Sequence, residues 1–213
     1  MKIILGKSQF MGPISGADET LVAYATQLRR AGHEVSVLLM YPHGPQDQYY
    51  LRLLDEGVPI ASIAPAQVRT SLDTGRMLAR RLLQIFPPSR YVVRRRAQQI
   101  ATGVAARYHG QGREYLRRSR AAPIHVITPD PGAMIMISAA HAAGLPALYQ
   151  ELGTPYHPPG FESYYEQFTS VLPLCSEVAA LSPQLAEQCR EKLPGARPLS
   201  VRPGATRHER RNG

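Results

Sequence analysis

Three groups of residues in this chain have types and spacings suited to chemistry. The first is a glycine-rich turn, Gly6-Lys7-Ser8-Gln9-Phe10-Met11-Gly12-Pro13-Ile14-Ser15-Gly16. Glycines let a backbone approach a ligand closely, and a helix start behind them presents unpaired N–H groups and a partial positive charge. A phosphate or another anionic group is the natural guest. The competing reading is a chain reversal that needs glycine for positive φ, and the turn matches neither G-x-G-x-x-G nor the P-loop pattern. Lys7 reads as a solvated loop lysine, with a charge offered to that anion as the alternative. The second group is two carboxylates, Asp130 and Glu151, each at the end of an expected strand. Ligands bind at that edge of open α/β sheets. Asp130 reads equally as an Asx-type turn residue before Pro131-Gly132.

The third group is a block of arginines. Between Arg76 and Arg120 there are twelve Arg and a single acid, Glu114, a charge of +11. The whole chain carries +9, so the remainder carries −2. The basic character belongs to one segment, so the isoelectric point of the whole chain does not mark a nucleic-acid binder. Arg94-Arg95-Arg96 lie opposite Val92, Val93, Ile100 and Val104 on an expected helix. Three readings compete: a solvated Arg face, attraction to an anionic membrane surface or lipid-phosphate group, and nucleic acid. The last lacks aromatic interleaving beyond Tyr91 and Tyr108.

No His, Cys, Asp or Glu cluster has metal-ligand spacing, and no metal is expected. Cys175 and Cys189 read as reduced thiols, with no secretory signal and no apolar run of membrane-spanning length. A cytoplasmic location follows as the expectation.

The elements that must position these residues are regular at both ends of the chain. Lys2–Leu5 and Glu34–Met40 read as buried strands around a helix from about Ala17 to Arg30. A short helix around Gln48–Glu56 and a strand over Val58–Ile63 follow. The basic segment predicts a helix over Ser71–Phe86, broken by Pro87-Pro88, then one over Ser89–Tyr108. Gly110-Gln111-Gly112 predicts a turn before a short helix, Glu114–Ser119. Strands are expected at His125–Thr128, Pro146–Gln150, Glu177–Leu181 and Leu199–Val201. Helices are expected at Ala133–Ala143, Phe161–Leu172 and Gln184–Lys192, the last capped by Ser182 with Pro183 at its first position. Strands alternating with helices predict an α/β fold. It is a Rossmann-like, doubly wound, mainly parallel sheet of about six or seven strands with helices on both faces.

Several segments together resemble the N-terminal domain of a GT-B-fold glycosyltransferase of the retaining family-four type. They are Gly16-Ala17-Asp18-Glu19; Leu28 through Val37, with Gly32-His33-Glu34-Val35; Ala142-Ala143-Gly144-Leu145-Pro146-Ala147; Ala179-Ala180-Leu181-Ser182-Pro183; and Val201-Arg202-Pro203-Gly204-Ala205. Each is weak alone; their order over roughly residues 1–206 carries the resemblance. It implies that residues 1–206, with the basic segment 76–120, form the acceptor-side domain, with a polar tail at 207–213. The donor-binding domain, holding a nucleotide-sugar with two glutamates seven residues apart, would lie outside this chain.

The implied reaction moves a sugar from a nucleotide-diphosphate donor to an acceptor hydroxyl, with the donor as co-substrate and no cofactor or metal. The implied partner is a small-molecule or lipid-linked acceptor, with peripheral contact to an anionic membrane as an extension and nucleic acid disfavoured. By the same resemblance, Gly12 and Gly16 face the diphosphate, Asp130 and Glu151 serve catalysis, and Gly153, Thr154, Arg94 and Arg95 meet the acceptor. His33 is a packing residue. Leu152 and Pro129 stand where family members often carry His, which leaves the detailed mechanism open. The rivals from other classes are a non-catalytic α/β module for an anionic ligand, and an accessory domain that binds a membrane or polyanion through the Arg segment.

Overall fold

Apolar runs flanked by turn residues form strands here, and segments with 3.6-residue periodicity form helices. The structure is a computed structural model that describes residues 1–10, 12, 14–43, 47–68, 74–75, 77–78, 81, 90–119, 123–128, 130–153, 162–193 and 198–200. The order is β1 (Lys2–Lys7), α1 (Gly16–Arg30), β2 (Glu34–Leu39), α2 (Gln48–Asp55), β3 (Ile60–Ser62), α3 (Arg90–Arg107) and α4 (His109–Ser119). Then come β4 (Ile124–Ile127), α5 (Pro131–Ala142), β5 (Ala147–Glu151), α6 (Glu162–Val171), a 3-10 turn Leu172–Leu174, β6 (Glu177–Ala180), α7 (Pro183–Lys192) and β7 (Pro198–Ser200). The helix expected over 71–86 falls largely outside the described residues, where Thr74, Gly75, Met77, Leu78 and Arg81 are helical. The 207–213 tail lies outside them entirely.

The described strands form one seven-stranded sheet in the order β3-β2-β1-β4-β5-β6-β7, and every pair is parallel. Parallel strands need crossover connections, and these are right-handed. The chain winds from β1 toward β3 in one direction and from β4 toward β7 in the other, so the two sets of helices take opposite faces. Leu21, Val22 and Ala25 of α1 and Tyr49 and Leu53 of α2 pack on Ile3, Leu5, Val35 and Val37. Ala105, Leu116, Phe168, Ala186 and Cys189 join α5 on the other face, against Ile4, Ile124 and Val126. The order reverses between β1 and β4, and that is the switch point of the sheet.

α5 is apolar on every side and buried along nearly its whole length. Such a helix must be covered all round. Two glycines set how closely the cover fits. A Cβ at Gly112 of α4 would meet Ile63 Cδ1 at 3.3 Å and Ala139 Cβ at 3.5 Å. This corrects the turn expected at Gly110-Gln111-Gly112: α4 starts at His109 and runs through both glycines. Packing against α5 outweighs the poor helix propensity of glycine. His109 Nε2 also reaches Ser138 Oγ at 3.1 Å. A second correction concerns the first strand. It continues through Gly6 and Lys7, because Gly6 faces Met136, Ile124 and Val126 at distances a side chain would violate.

Gly132, in the first turn of α5, is the tightest approach. A Cβ there would sit 1.8 Å from Ser8 Oγ and 3.0 Å from Met40 Cβ. Gly16 has nothing within 4 Å of its Cβ direction. Gly132→Ala is expected to lower stability by about 1–3 kcal/mol through overpacking, while Gly16→Ala stays near neutral. Urea unfolding of the two variants checks this; equal midpoints would remove the close-approach account.

Candidate active site at the sheet switch point

Strand alternation decides what the end of β1 can reach. Successive side chains point to opposite faces, so Lys7 turns toward α1 and Ser8 toward α5. Lys7 is fully buried, and its Nζ lies 3.0 Å from Oδ1 of Asp18, which is also fully buried. This corrects the reading of Lys7 as a solvated loop lysine. Its ammonium is enclosed because the strand extends two residues further than expected and α1 lies over it.

On the opposite face Ser8 Oγ donates a short hydrogen bond to Asp130 Oδ1. Asp130 is the N-cap of α5: Oδ1 also accepts from the Ala133 N–H at 2.8 Å, and Pro131 takes the first helical position. This is the turn-and-cap role expected for Asp130. Burial pushes the Asp130 carboxyl up, against the lowering effects of Ser8, the Ala133 and Gly132 N–H groups and the Lys7 charge. Just before it, Thr128 has φ 74°, a left-handed conformation that is strained for a β-branched residue. Strain of this kind gathers at functional sites.

Glu151 ends β5, the next strand, and is 4 % exposed. Its Oε2 accepts from Tyr149 Oη at 2.8 Å and its Oε1 from the Gly153 N–H at 3.2 Å. Burial again raises the carboxyl, with those donors opposing. Tyr149 packs edge-on against Phe168, with ring centroids 5.0 Å apart, on the α5 side of the sheet. Glu151 therefore sits on the same side as Asp130, one strand over, and each carboxylate has its own set of donors.

The turn between β1 and α1 is pinned by side chains that the sequence did not single out. Ser15 caps α1, accepting from the Asp18 N–H, and the Ser15 N–H donates to Tyr49 Oη at 3.0 Å. His43 Nε2 approaches Phe10 O at 3.2 Å, and its Nδ1 lies 3.1 Å from Asp47 Oδ2. Gly12 has φ 125°, a backbone state that L side chains rarely adopt, and nothing crowds its Cβ direction. The conformation alone demands glycine there. Gly16 is the first residue of α1, so Gly12 and Gly16 both lie in the connection from β1 into that helix. Of the remaining expected residues, Gly153 is a ligand of Glu151 and Thr154 lies outside the described residues. Arg95 is exposed on α3; Arg94 is on the same helix, its side chain outside the described ones. The signals available for Lys7 and Asp18 were a lysine at an inward position of a strand and an acid in the first turn of the next helix.

Below this edge, His125 of β4 lies against Tyr24 of α1 with ring centroids 5.5 Å apart. Gln150 Nε2 donates to Tyr24 Oη at 2.9 Å. Burial pushes the His125 imidazole down to about 4, partly offset by a hydrogen bond with Gln150. At the far edge of the sheet a groove of about 810 Å³ is lined by Lys2, Glu34, Tyr115 and Arg118, among others. Its charges pair with one another, Lys2 with Glu34 at 3.2 Å and Arg118 with Glu114 at 2.6 Å, and do not converge on a ligand. Among the described residues no group of three or more His, Cys, Asp or Glu side chains could hold a metal ion. No described helix is long and apolar enough to cross a membrane.

A doubly wound, all-parallel sheet with helices on both faces defines an α/β protein of Rossmann-like fold. No family model matches the chain, and no curated protein matches it. Solved structures do share its fold. Anabaena Alr3699/HepE in complex with UDP matches at 17% identity and a TM-score of 0.56, over 95% of this chain and 44% of that one. SsfS6, a glycosyltransferase of Streptomyces sp. SF2575, matches at 16% identity and TM-score 0.54, over 93% and 53%. A UDP-GlcNAc 2-epimerase from Neisseria meningitidis bound to UDP-GlcNAc matches at 11% and 0.57, over 94% and 46%. The chain thus spans about half the length of these proteins and shares the fold of that portion.

Two outcomes follow from the buried groups. Lys7→Met leaves Asp18 buried without its cation and should cost about 3–5 kcal/mol; adding Asp18→Leu should recover most of the loss in a urea double-mutant cycle. For His125, the folded value near 4 lies below the ordinary 6.5. The unfolded chain binds the extra proton between those values, so its contribution is complete above 6.5 and is lost as pH falls toward 4. The loss amounts to about 3 kcal/mol. His125→Gln should flatten that part of the stability–pH curve; an unchanged slope would contradict a neutral, enclosed imidazole.

Proposed function

We propose that this chain is the acceptor-side, N-terminal domain of a GT-B glycosyltransferase of the retaining family-four type. The enzyme moves a sugar from a nucleotide-diphosphate donor to an acceptor hydroxyl and needs no metal. The observation that carries this reading is the pair of raised, buried carboxylates, Asp130 and Glu151. Asp130 stands just past β4, beside the switch point, and Glu151 ends the adjacent strand β5, on the same face of the sheet. The fold shared with nucleotide-sugar proteins supports it, as do UDP and UDP-glucose in the HepE complexes.

In this reading Asp130 accepts a hydrogen bond from the acceptor hydroxyl and orients its oxygen toward the anomeric carbon. A carboxylate with a raised pKa is also a better proton acceptor when ionised. Glu151, with Gly153 and Thr154 beside it, borders the acceptor, and Arg94 and Arg95 attract an anionic acceptor group. The bond from the anomeric carbon to the phosphate oxygen breaks as the bond to the acceptor oxygen forms on the same face, which retains the configuration, and the acceptor proton passes to Asp130. Charge then builds on the diphosphate, where fixed N–H donors count most. Gly12 keeps the turn open and Gly16 begins the helix whose first amides face that charge. Asp18 also sits in this first turn, but Lys7 neutralises it, so the helix end keeps its attraction for an anion. A donor-binding partner domain completes the site, and a cytoplasmic location with peripheral membrane contact belongs to the same reading.

The test is turnover of a panel of nucleotide sugars by the protein carrying both domains. Asp130→Asn and Glu151→Gln should each lower kcat by about 100-fold with folding unchanged. The 213-residue chain alone should be silent. Wild-type turnover by both variants, or sugar transfer by the isolated chain, would overturn the assignment.

A further inference from the structure

We infer that the outer face of α3 is a docking surface for an anionic lipid bilayer. This deepens the peripheral-contact part of the reading above and is independent of the transfer chemistry. α3 carries five Arg and no acid. Its inner side, with Val104 and Ala105, packs on the core, as does Tyr108 just beyond its end. Its outer side carries Val92, Arg95, Arg96, Ile100 and Arg107, all exposed. Val92, Arg96, Ile100 and Arg107 follow at steps of four, four and seven, which places them in one stripe along the helix and corrects the expectation that the arginines lie opposite Val92 and Ile100.

The stripe is unusual in its apolar members. Val92 is 66% and Ile100 52% exposed. Of the nine exposed large hydrophobic residues among those described, five lie between Met77 and Ile100: Met77, Leu78, Tyr91, Val92 and Ile100. The nearest described carboxylate in sequence, Glu114 of α4, is held by Arg117 and Arg118, so it does not neutralise α3. Guanidinium groups beside branched aliphatics complement a surface that is anionic outside and apolar a few ångströms in. A nucleic acid would use stacked aromatics instead, and Tyr91 is the one aromatic exposed here.

The experiment is sedimentation of the purified 213-residue chain with vesicles of phosphatidylcholine alone or mixed with phosphatidylglycerol, each over a salt series. Binding should need phosphatidylglycerol and weaken with salt. Arg95→Gln/Arg96→Gln should reduce partitioning about 30-fold, since each basic residue near such a surface contributes about fivefold. Val92→Ser/Ile100→Ser should reduce it by about 10-fold or more. All four side chains are exposed, so the fold survives their loss, and the single variants Arg95→Gln and Ile100→Ser should give intermediate losses. Equal binding to phosphatidylcholine alone, or variants that bind like wild type, would overturn the proposal. So would a serine variant that keeps full vesicle binding while the glutamine variant loses vesicles and heparin alike, which would make the face a polyanion site. Donor turnover is not read in this assay, so its outcome separates from that of the transferase reading.

Discussion

Two neighbouring residues at the end of β1 hold the carboxyl edge of the sheet together. Lys7 and Ser8 point to opposite faces because a strand alternates, and each grips the first turn of a different helix. Lys7 meets Asp18 in α1, and Ser8 meets Asp130 at the start of α5. Burying two charges is costly unless they pair closely, so the Lys7–Asp18 contact ties the position of α1 to the strand. Glycine at 132 is the matching condition on the other face, since a side chain there would displace Ser8. This single dipeptide therefore ties the first turns of α1 and α5 to the end of β1, beside the switch point.

Both helix starts at the crevice already carry carboxylates. Asp18 and Asp130 stand at positive helix ends, which suits them electrostatically. Their environments differ. Asp18 has a cation at 3.0 Å, while Asp130 has a hydroxyl and helix N–H groups and is raised by burial. The first turn of α1 holds a buried ion pair, whereas the start of α5 holds a buried carboxyl bound by a hydroxyl and a helix N–H. The two sides of the crevice are chemically distinct before any ligand arrives.

Most of the framework could be read from the sequence because buried parallel strands and capped helices have strong local signals. Ile3, Ile4 and Leu5, the Ser182-Pro183 start of α7 and the end of α1 at Arg30 fall where expected. The misses share one physical cause, which is packing between segments far apart in sequence. α4 runs through Gly110 and Gly112 because Ala139 lies against Gly112. β1 runs through Gly6 and Lys7 because α5 and α1 close over them. No local propensity reports either contact. At the site, the ends of β4 and β5 pointed to Asp130 and Glu151. Ser8, Tyr49 and His43, which fix the turn, became visible only through hydrogen bonds spanning 33 or more residues.

The two edges of the sheet differ in how fully their charges are satisfied. At the amino edge, Lys2 pairs with Glu34 and Arg118 with Glu114, in solvent and at little cost. At the carboxyl edge lie a strained Thr128 and two acids raised by burial. A raised acid contributes stability only below its unfolded value and loses it as pH rises through its folded value. As pH rises, Asp130 and Glu151 therefore take stability away, while His125, kept neutral between α1 and the sheet, adds it. Among the described residues, local cost of this kind gathers at the carboxyl edge. Here that edge coincides with the topological switch point.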